Sequence, residues 1–235
     1  MNKENKLLIL AIFYSCMEEK VMKTIIYISR HSEPMKVENT LSNDNLQLQN
    51  EKQILSPEGE RRAEILSGID ELKDIDVVIS SNYVRTMSTA KYIANKNNKD
   101  LIIMDDFGER KFGINSWDEL PENFEGKQLE DENYKMTNGE SRKEVTQRMM
   151  KALNSILKQY RGKKIAIVSH GTAMSWLFMN WCEVKPSNKG EWSRKLIFNN
   201  KKFFDGKFYA PELFKLEFED NELIDIKNIK VNYEV

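Results

Sequence analysis

The segment Ile-Ile-Tyr-Ile-Ser-Arg-His-Ser-Glu, residues 25–33, decides the fold of this chain. Its first half is β-branched and aromatic, which is typical of a buried parallel strand, and its second half is a charged turn. In open α/β sheets, ligands bind just outside the carboxyl ends of the strands. The segment therefore predicts a strand that delivers Arg30 and His31 to a binding site.

A second segment has the same construction. Residues 164–171 read Lys-Ile-Ala-Ile-Val-Ser-His-Gly, another apolar strand that ends in a histidine. His31 and His170 are the only histidines in the chain. Because parallel strands of such a sheet present their carboxyl ends at the same edge, we expect the two imidazoles to lie in one shared site.

The remaining patterns alternate between strands and helices. Ser56 followed by Pro57 predicts a capped helix start, and the capping box of Ser141 and Glu144 predicts a long amphipathic helix. Further elements are predicted as strands at residues 76–80 and 101–104, a helix capped by Ser81 or Asn82, a helix at 173–181 and a hairpin at 213–231. This order predicts an α/β fold with a mostly parallel sheet flanked by helices and an antiparallel C-terminal hairpin.

The chain is long enough for one large domain with an insertion. We interpret residues 1–21 as an N-terminal extension, with an export signal as the alternative, and residues 22–235 as a single domain. Residues 105–139 are acidic and rich in turn residues, which predicts an insertion over the site with only short helices. Residues 34–55 predict a polar loop near the site with a short helical turn. The Lys-Lys pair at 201–202, near Phe203 and Phe204, predicts a surface loop with a buried aromatic anchor.

Composition excludes several function classes. The 235 residues carry a net charge of −1, so no bulk field favours nucleic acid or an anionic membrane as a partner. Two cysteines form neither a disulfide framework nor a metal-binding spacing, which favours a reducing, cytoplasmic location. The sequence also lacks the Asp-His-Cys clusters that metal-assisted hydrolysis uses, so we expect neither a metal nor another cofactor.

Four basic groups follow predicted strands: Arg30 and His31, then Arg85, then His170. Two guanidinium groups and two imidazoles around one cavity suit a phosphate, because arginine offers a planar fork of donors that matches phosphate oxygens. A histidine in that setting can also act as a nucleophile, since nearby positive charge lowers its pKa and keeps the attacking nitrogen unprotonated.

Several motifs occur in the order of one known family. They are Arg-His-Ser-Glu at 30–33, Leu-Ser-Pro-Glu-Gly at 55–59, Ser-Ser-Asn-Tyr-Val-Arg at 80–85, Glu-Arg-Lys-Phe-Gly at 109–113, Gly-Glu-Ser at 139–141 and Val-Ser-His-Gly at 168–171. On these motifs the chain resembles the histidine phosphatase superfamily, which includes the cofactor-dependent phosphoglycerate mutases and many small phosphatases. The resemblance implies a three-layer α/β sandwich of the phosphoglycerate mutase type.

The resemblance also implies roles for individual residues. His31 matches the nucleophile, Arg30, Arg85 and His170 match the groups that hold the phosphoryl oxygens, and Glu109 matches the acid that protonates the leaving oxygen and then activates water. The positions that touch substrate or phosphate in some relatives are Arg110, Gly171 and Thr172.

Two departures from the family pattern matter. Ser32 replaces the usual glycine, and the long basic insertion of the glycolytic mutases is not visible. We therefore expect a metal-independent phosphatase that hydrolyses phosphate monoesters through a phosphohistidine intermediate on His31. The alternatives are a phosphoglycerate mutase-type phosphotransferase and a non-catalytic module that binds a phospho-ligand. The expected partner is a small phosphorylated metabolite or a phosphoprotein; substrate identity and oligomeric state are not encoded in these motifs.

Overall fold

The computed structural model describes residues 21–36, 45–190 and 193–234. The strands are β1 (Lys23–Arg30), β2 (Val77–Ser80), β3 (Leu101–Ile103), β4 (Lys164–Ser169), β5 (Glu183–Pro186), β6 (Arg194–Phe198), β7 (Lys201–Gly206), β8 (Leu213–Glu219) and β9 (Glu222–Ile229). The helices are α1 (Leu46–Lys52), α2 (Pro57–Ser67), α3 (Val84–Asn97), α4 (Phe124–Glu130), α5 (Arg142–Gln159) and α6 (Gly171–Phe178). The predicted N-terminal extension, apart from residue 21, lies outside the described residues.

The main sheet has the strand order β3-β2-β4-β1-β8-β9. The first four strands pair in parallel, and β8 and β9 form the predicted antiparallel hairpin at the other edge. In the central pair, Arg30 of β1 is aligned with Ser169 of β4, and the His31 amide donates to the Ser169 carbonyl at 2.9 Å. Both histidine-bearing turns therefore leave the sheet at the same place, and the predicted fold class is confirmed.

The two faces of the sheet are covered by different helices. Ile26 and Ile28 of β1 belong to a core shared with α5 and α6, whereas Tyr27 belongs to the core shared with α2 and α3. This separation follows from the two-residue period of a strand, which sends successive side chains to opposite faces. Helices on both faces make the three-layer sandwich that the resemblance implied.

Two of the three side-chain caps predicted from the sequence are present. The Ser56 hydroxyl accepts from the Gly59 amide at 2.9 Å, and Ser141 and Glu144 form a complete capping box. The prediction that Ser81 or Asn82 caps α3 is wrong, because α3 begins at Val84 and the Ser81 hydroxyl bonds a histidine instead. The helix expected at 173–181 runs over Gly171–Phe178.

The insertion at 105–139 contains α4 and two 3₁₀ turns, at Asp105–Phe107 and Trp117–Glu119, as predicted. Its two ends cross closely: a Cβ on Gly113 would lie 2.1 Å from the Gly139 amide nitrogen, and Gly113 has a φ of +72°. Only glycine accommodates both the close approach and this φ. Beside the crossing, the Glu140 amide donates to the Lys111 carbonyl at 2.8 Å, which closes the base of the insertion.

A second sheet of three antiparallel strands, in the order β5-β6-β7, occupies residues 183–206. The prediction of a surface loop at 201–202 is wrong, because Lys201 and Lys202 begin β7. The signal for this hairpin was Asn199-Asn200, where both residues adopt positive φ values of 47° and 61°, as a type I′ turn requires. Leu196 is fully buried and joins this sheet to the main core.

In the part of the chain that the structure describes, every helix is too short or too polar to cross a bilayer.

We predict that Gly59→Ala destabilises the protein. A Cβ at this position would lie 2.1 Å from the Glu33 carbonyl oxygen, in the turn that follows His31. Overpacking of this kind costs about 1–3 kcal/mol, which exceeds the helix-propensity gain of about 1 kcal/mol from replacing glycine by alanine. Urea unfolding followed by circular dichroism should show a lower midpoint.

Gly68→Ala is the matched control on the same helix. The nearest atom to its added Cβ is the Ile65 carbonyl oxygen at 3.5 Å, an ordinary contact, and its φ of −91° suits any residue. Its free energy of unfolding should stay within about 0.5 kcal/mol of the wild type. Equal destabilisation by the two variants would contradict the close approach of Gly59 to the His31 turn.

Candidate active site

The four predicted basic groups converge at the carboxyl edge of β1, β2 and β4. The rings of His31 and His170 lie 5.2 Å apart at an interplanar angle of 61°, and an Arg85 guanidinium nitrogen lies 3.1 Å from His170 Nδ1. Arg30 is the last residue of β1 and immediately precedes His31. Residues separated by more than a hundred positions thus surround one small region.

The tautomer of His31 follows from its hydrogen bond. Nδ1 lies 2.7 Å from the Ser32 carbonyl oxygen, which can only accept, so Nδ1 carries the proton. In a neutral ring, Nε2 is then unprotonated and holds a lone pair. His31 therefore presents the nitrogen of a nucleophile.

The surroundings of His31 favour its neutral form. Burial lowers its pKa well below the usual 6.5, and the positive charges of Arg85 and Arg30 lower it further, while the Ser32 carbonyl acts in the opposite direction. The side chain is only 5% exposed. A buried imidazole that experiences the positive charges of two guanidinium groups stays neutral at neutral pH, so one ring nitrogen keeps its lone pair.

His170 is held by a chain of hydrogen bonds with one consistent direction. Arg85 can only donate, so His170 Nδ1 accepts from it, and Nε2–H donates to the Ser81 hydroxyl at 2.9 Å. Ser81 in turn bonds Thr86 at 2.6 Å, and Thr86 donates to the Tyr83 carbonyl at 2.7 Å. This chain fixes the tautomer of His170 opposite to that of His31.

His170 therefore orients Arg85, because its Nδ1 accepts a hydrogen bond from the guanidinium group. Burial lowers the pKa of His170 well below its ordinary value, and the positive charges of Arg85, Arg148 and Arg30 lower it further. Burial also lowers the pKa of Arg85 to about 10, so this guanidinium remains charged at neutral pH. His170 is fully buried, as is expected for a residue with both nitrogens bonded.

Arg30 lies against the start of α6. One of its terminal nitrogens donates to the Phe208 carbonyl at 2.7 Å, and its side chain lies 3.5 Å from where a Cβ on Gly171 would be. Among the described residues its buried Nε–H has no hydrogen-bond partner. A buried donor without a partner is costly, so this group is suited to receive an anionic ligand.

Glu109 reaches the N-terminus of α6. Its carboxylate accepts from the amides of Ala173 at 3.1 Å and Thr172 at 3.4 Å, where helix amides and the helix dipole favour negative charge. Burial lowers the pKa values of Arg30 and Arg85, and the negative charge of Glu109 acts on both in the opposite direction. Glu109 is thus held at the start of α6, the helix against which Arg30 lies.

Arg148 holds the Glu109 segment in place, although it was not singled out in the sequence. Its guanidinium donates to the carbonyl oxygens of Asp106, Gly108 and Glu109 at 2.6–3.2 Å and pairs with Glu140 at 2.8 Å. Five donors in a planar fork suit such a set of acceptors. The Gly-Glu-Ser motif at 139–141 was the available signal, because Glu140 orients this arginine.

Arg110 extends into the insertion and packs against α6. It is 2% exposed, donates to Gln128 at 2.8 Å, pairs with Glu125 and lies over the rings of Phe112 and Trp176 at 4.6 and 5.4 Å. Of the three positions that the resemblance assigned to substrate contacts, Gly171 and Thr172 lie at the start of α6, beside Arg30 and Glu109 respectively.

Ser32 stands where the family usually has glycine, and its side chain has a structural role that the sequence did not indicate. Its hydroxyl donates to the Gly59 carbonyl at 2.7 Å, and its amide donates to the Thr89 hydroxyl at 2.9 Å. The side chain is fully buried and directed at α2. Ser32 therefore ties the His31 turn to α2 and α3.

Helix α1 lies within the segment predicted as a loop at 34–55 and contacts two residues of the site. The Asn50 carbonyl accepts from Arg85, and the Gln47 amide donates to the Tyr83 hydroxyl at 2.9 Å. The Tyr83 ring packs on His170 with centroids 4.5 Å apart, and burial raises its pKa to about 12. Tyr83 lies inside the Ser-Ser-Asn-Tyr-Val-Arg motif, but the sequence did not indicate a contact between it and His170.

Within the described ranges, no three His, Cys, Asp or Glu side chains are grouped in a way that would hold a metal ion. The polar groups near His31 are instead cationic donors, which suit an anion.

A family model described as histidine phosphatase superfamily, branch 1, matches residues 26–196. The chain belongs to the histidine phosphatase superfamily. The resemblance carried by the motifs is thereby confirmed, and His31 lies in the turn after the first strand of the superfamily domain.

Named relatives within the superfamily include both phosphatases and mutases. The uncharacterized phosphatase PhoE of Bacillus subtilis is 32% identical over 122 residues, which cover 51% of this chain and 60% of that protein. The probable phosphoglycerate mutase GpmB of Cronobacter sakazakii is 32% identical over 160 residues, 65% of this chain and 72% of that protein. A mycobacterial glucosyl-3-phosphoglycerate phosphatase shares the fold, with a TM-score of 0.63 at 15% identity over 88% of this chain and 97% of that one.

We predict that the two buried histidines make the stability of this superfamily member depend on pH. Their pKa values are lower in the folded protein than in the unfolded chain, so below about pH 6.5 the unfolded chain binds more protons. The free energy of unfolding should therefore fall as the pH decreases from about 7 to about 5, by up to about 1.4 kcal/mol per pH unit for each histidine. Urea unfolding in phosphate-free buffer measures this slope.

The slope of the free energy of unfolding against pH is proportional to the number of protons taken up on unfolding. His31→Gln should lower that number by about one. Ser81→Ala is the control: it deletes a hydrogen bond to His170 but keeps both histidines, so it should lower stability without changing the slope. A wild-type slope near zero over this range would show that the histidines titrate as they do in the unfolded chain.

Proposed function

We propose that this chain hydrolyses phosphate monoesters without a metal, through a phosphohistidine intermediate on His31. The observation that carries the proposal is the hydrogen bond that places the proton of the buried His31 ring on Nδ1 and leaves Nε2 unprotonated, within the field of the Arg85 and Arg30 charges. Superfamily membership and the phosphatase name of one relative support it. The substrate class we propose is a small phosphorylated metabolite or a phosphoprotein.

In the first step, His31 Nε2 attacks phosphorus. A nitrogen–phosphorus bond forms and the bond from phosphorus to the ester oxygen breaks, while Glu109 in its protonated form gives its proton to the departing oxygen. Arg30 and Arg85 face the phosphoryl oxygens, where negative charge is redistributed in the transition state. The amides at the N-terminus of α6 add donors for the same anion.

In the second step, water attacks the phosphohistidine. Glu109, now a carboxylate, takes a proton from the water as the oxygen–phosphorus bond forms and the nitrogen–phosphorus bond breaks. Inorganic phosphate leaves, and His31 Nε2 regains its lone pair. The hydrogen bond from Nδ1 to the Ser32 carbonyl holds the ring in one orientation throughout the cycle.

A phosphoglycerate mutase-type reaction is the second candidate, because one relative is named a probable phosphoglycerate mutase. It would use the same attack by His31 but return the phosphoryl group to a second hydroxyl of the substrate. Assays with phosphoglycerate separate the two reactions, since hydrolysis releases inorganic phosphate and isomerisation does not. A protein that only binds a phospho-ligand, the third possibility, would do neither.

We predict that His31→Ala abolishes hydrolysis of p-nitrophenyl phosphate, because the unprotonated nitrogen of His170, the other histidine, already accepts a hydrogen bond from Arg85. Wild-type activity should survive EDTA and be blocked by vanadate, which mimics five-coordinate phosphorus. Circular dichroism checks that the variant is folded. Retained turnover in a folded His31→Ala protein would rule out the proposed intermediate.

We predict that the cost of Glu109→Gln depends on the leaving group. An alkyl phosphate needs a proton on its leaving oxygen, so its kcat/KM should fall by about 10²–10⁴-fold. The first step with p-nitrophenyl phosphate should fall much less, because nitrophenolate leaves as an anion. Pre-steady-state release of nitrophenol measures that step.

Glu119→Gln is the matched control, since Glu119 is an exposed carboxylate in the same insertion. It should leave both substrates unaffected. A Glu109→Gln variant that slows the two substrates equally in the first step would argue for a purely structural carboxylate.

A further inference from the structure

Residues 207–212 join the second sheet to β8 and lie against Arg30. The Arg30 amide donates to the Glu212 carbonyl at 3.0 Å, and a guanidinium nitrogen of Arg30 donates to the Phe208 carbonyl at 2.7 Å. The guanidinium also carries a buried Nε–H that has no hydrogen-bond partner in the described ranges. Because the guanidinium is planar and rigid, the bond to Phe208 sets the direction in which its remaining donors point.

The peptide group between Phe208 and Tyr209 is bonded at both ends. Its carbonyl oxygen accepts from Arg30, and its N–H, on Tyr209, donates to the Glu212 carboxylate at 2.9 Å. In a trans peptide such as this one, the C=O and N–H bonds lie in one plane and point in opposite directions. The peptide group therefore stands between the carboxylate of Glu212 and the guanidinium of Arg30.

Glu212 is itself fixed to the C-terminal hairpin. The residue is 7% exposed, and its carboxylate also accepts from the side-chain amide of Asn228 at 2.6 Å and lies 3.6 Å from the Lys230 ammonium group. Asn228 lies in β9 and Lys230 follows that strand. The carboxylate thus ties the loop that holds Arg30 to the edge of the main sheet.

The negative charge of Glu212 acts on Arg30 both through this peptide group and across space. A carboxylate on the N–H side polarises a peptide group and makes its carbonyl oxygen a stronger acceptor. Burial lowers the pKa of Arg30, and the charges of Glu109 and Glu212 act on it in the opposite direction. Burying an ionised carboxylate is costly, and a buried guanidinium nearby offsets part of that cost.

We propose that Glu212 is a positioning residue for phosphate binding. Its carboxylate fixes and polarises the Phe208–Tyr209 peptide group, and the carbonyl of that group holds the Arg30 guanidinium in the orientation that receives the phosphoryl oxygens. The inference rests on the proposed function, in which Arg30 binds those oxygens, and adds a residue that acts through Arg30 rather than on the substrate. A carboxylate that only supported the edge of the sheet would contribute to stability and not to phosphate binding.

The test is a double-mutant cycle on the affinity for inorganic phosphate, measured by phosphorus NMR titration. Glu212→Ala removes the carboxylate and should raise the dissociation constant about tenfold, the cost of one charge-assisted hydrogen bond. Glu212→Gln should raise it less, because its side-chain carbonyl still accepts from the Tyr209 amide. In an Arg30→Met background, neither substitution should change the dissociation constant by more than about twofold, because the group through which Glu212 acts is absent.

Glu217→Gln is the matched control on β8. The Glu217 side chain is 13% exposed, against 8% for that of Glu212, and it also pairs with lysine. It lies opposite Ile25, five residues before Arg30 in β1, and therefore far from the loop. The substitution should lower the free energy of unfolding, followed by urea denaturation, and leave the dissociation constant for phosphate unchanged.

The cycle has outcomes that overturn the inference. A dissociation constant that Glu212→Ala leaves unchanged, or raises by the same factor with and without Arg30, would reduce Glu212 to a support for the sheet edge. Circular dichroism checks folding, and Glu212→Gln carries the same cycle if the alanine variant does not fold.

Phosphate binding also separates failure of this inference from failure of the proposed function, because it does not require turnover. A protein that binds phosphate with the expected coupling between Glu212 and Arg30 but hydrolyses no monoester would refute the proposed function and leave the inference standing. Turnover without that coupling would do the reverse. A wild-type protein that does not bind phosphate would overturn the inference.

Discussion

The parallel pairing of β1 with β4 is the constraint on which the rest of the structure depends. Its register aligns Arg30 with Ser169, so the two histidine-bearing turns leave the sheet side by side, and a backbone hydrogen bond of 2.9 Å from His31 to Ser169 fixes their separation. A slip of one residue would send every side chain of β1 to the other face. Successive apolar side chains of β1 pack into the cores on opposite faces of the sheet and so hold its register with β4. This register also sets the distance between the two imidazoles.

The hydrogen-bond partners of the buried histidines set which ring nitrogen carries the proton. His31 and His170 are both neutral, but their partners give them opposite tautomers: a carbonyl oxygen accepts from Nδ1 of His31, whereas Arg85 donates to Nδ1 of His170. The same fold thus leaves Nε2 of one histidine unprotonated and makes the other histidine a support for a cation. Burying several guanidinium groups in one region is costly without counter-charges. Glu109 and Glu125 supply part of the negative counter-charge. The remaining cost of burying the guanidinium groups favours binding of an anion.

Sequence reasoning predicted most of the main sheet and brought His31, His170, Arg30 and Arg85 to one edge, because apolar strand patterns and capping signals are local. It did not predict the second sheet, whose strands are short and rich in lysine and depend on the Asn199-Asn200 turn for their pairing. The direction of Arg110 was equally hidden, because a motif fixes the position of a residue and not the rotamer of its side chain.

The central claim is that the phosphoryl group is transferred to Nε2 of His31. Rapid quenching of the enzyme with a phosphorus-labelled monoester, followed by digestion under alkaline conditions that preserve phosphohistidine, measures this directly. The account predicts label on the peptide that contains His31, attached at Nε2, at a level that decays as inorganic phosphate appears. Label on another residue, at Nδ1, or on no residue while turnover proceeds would contradict it.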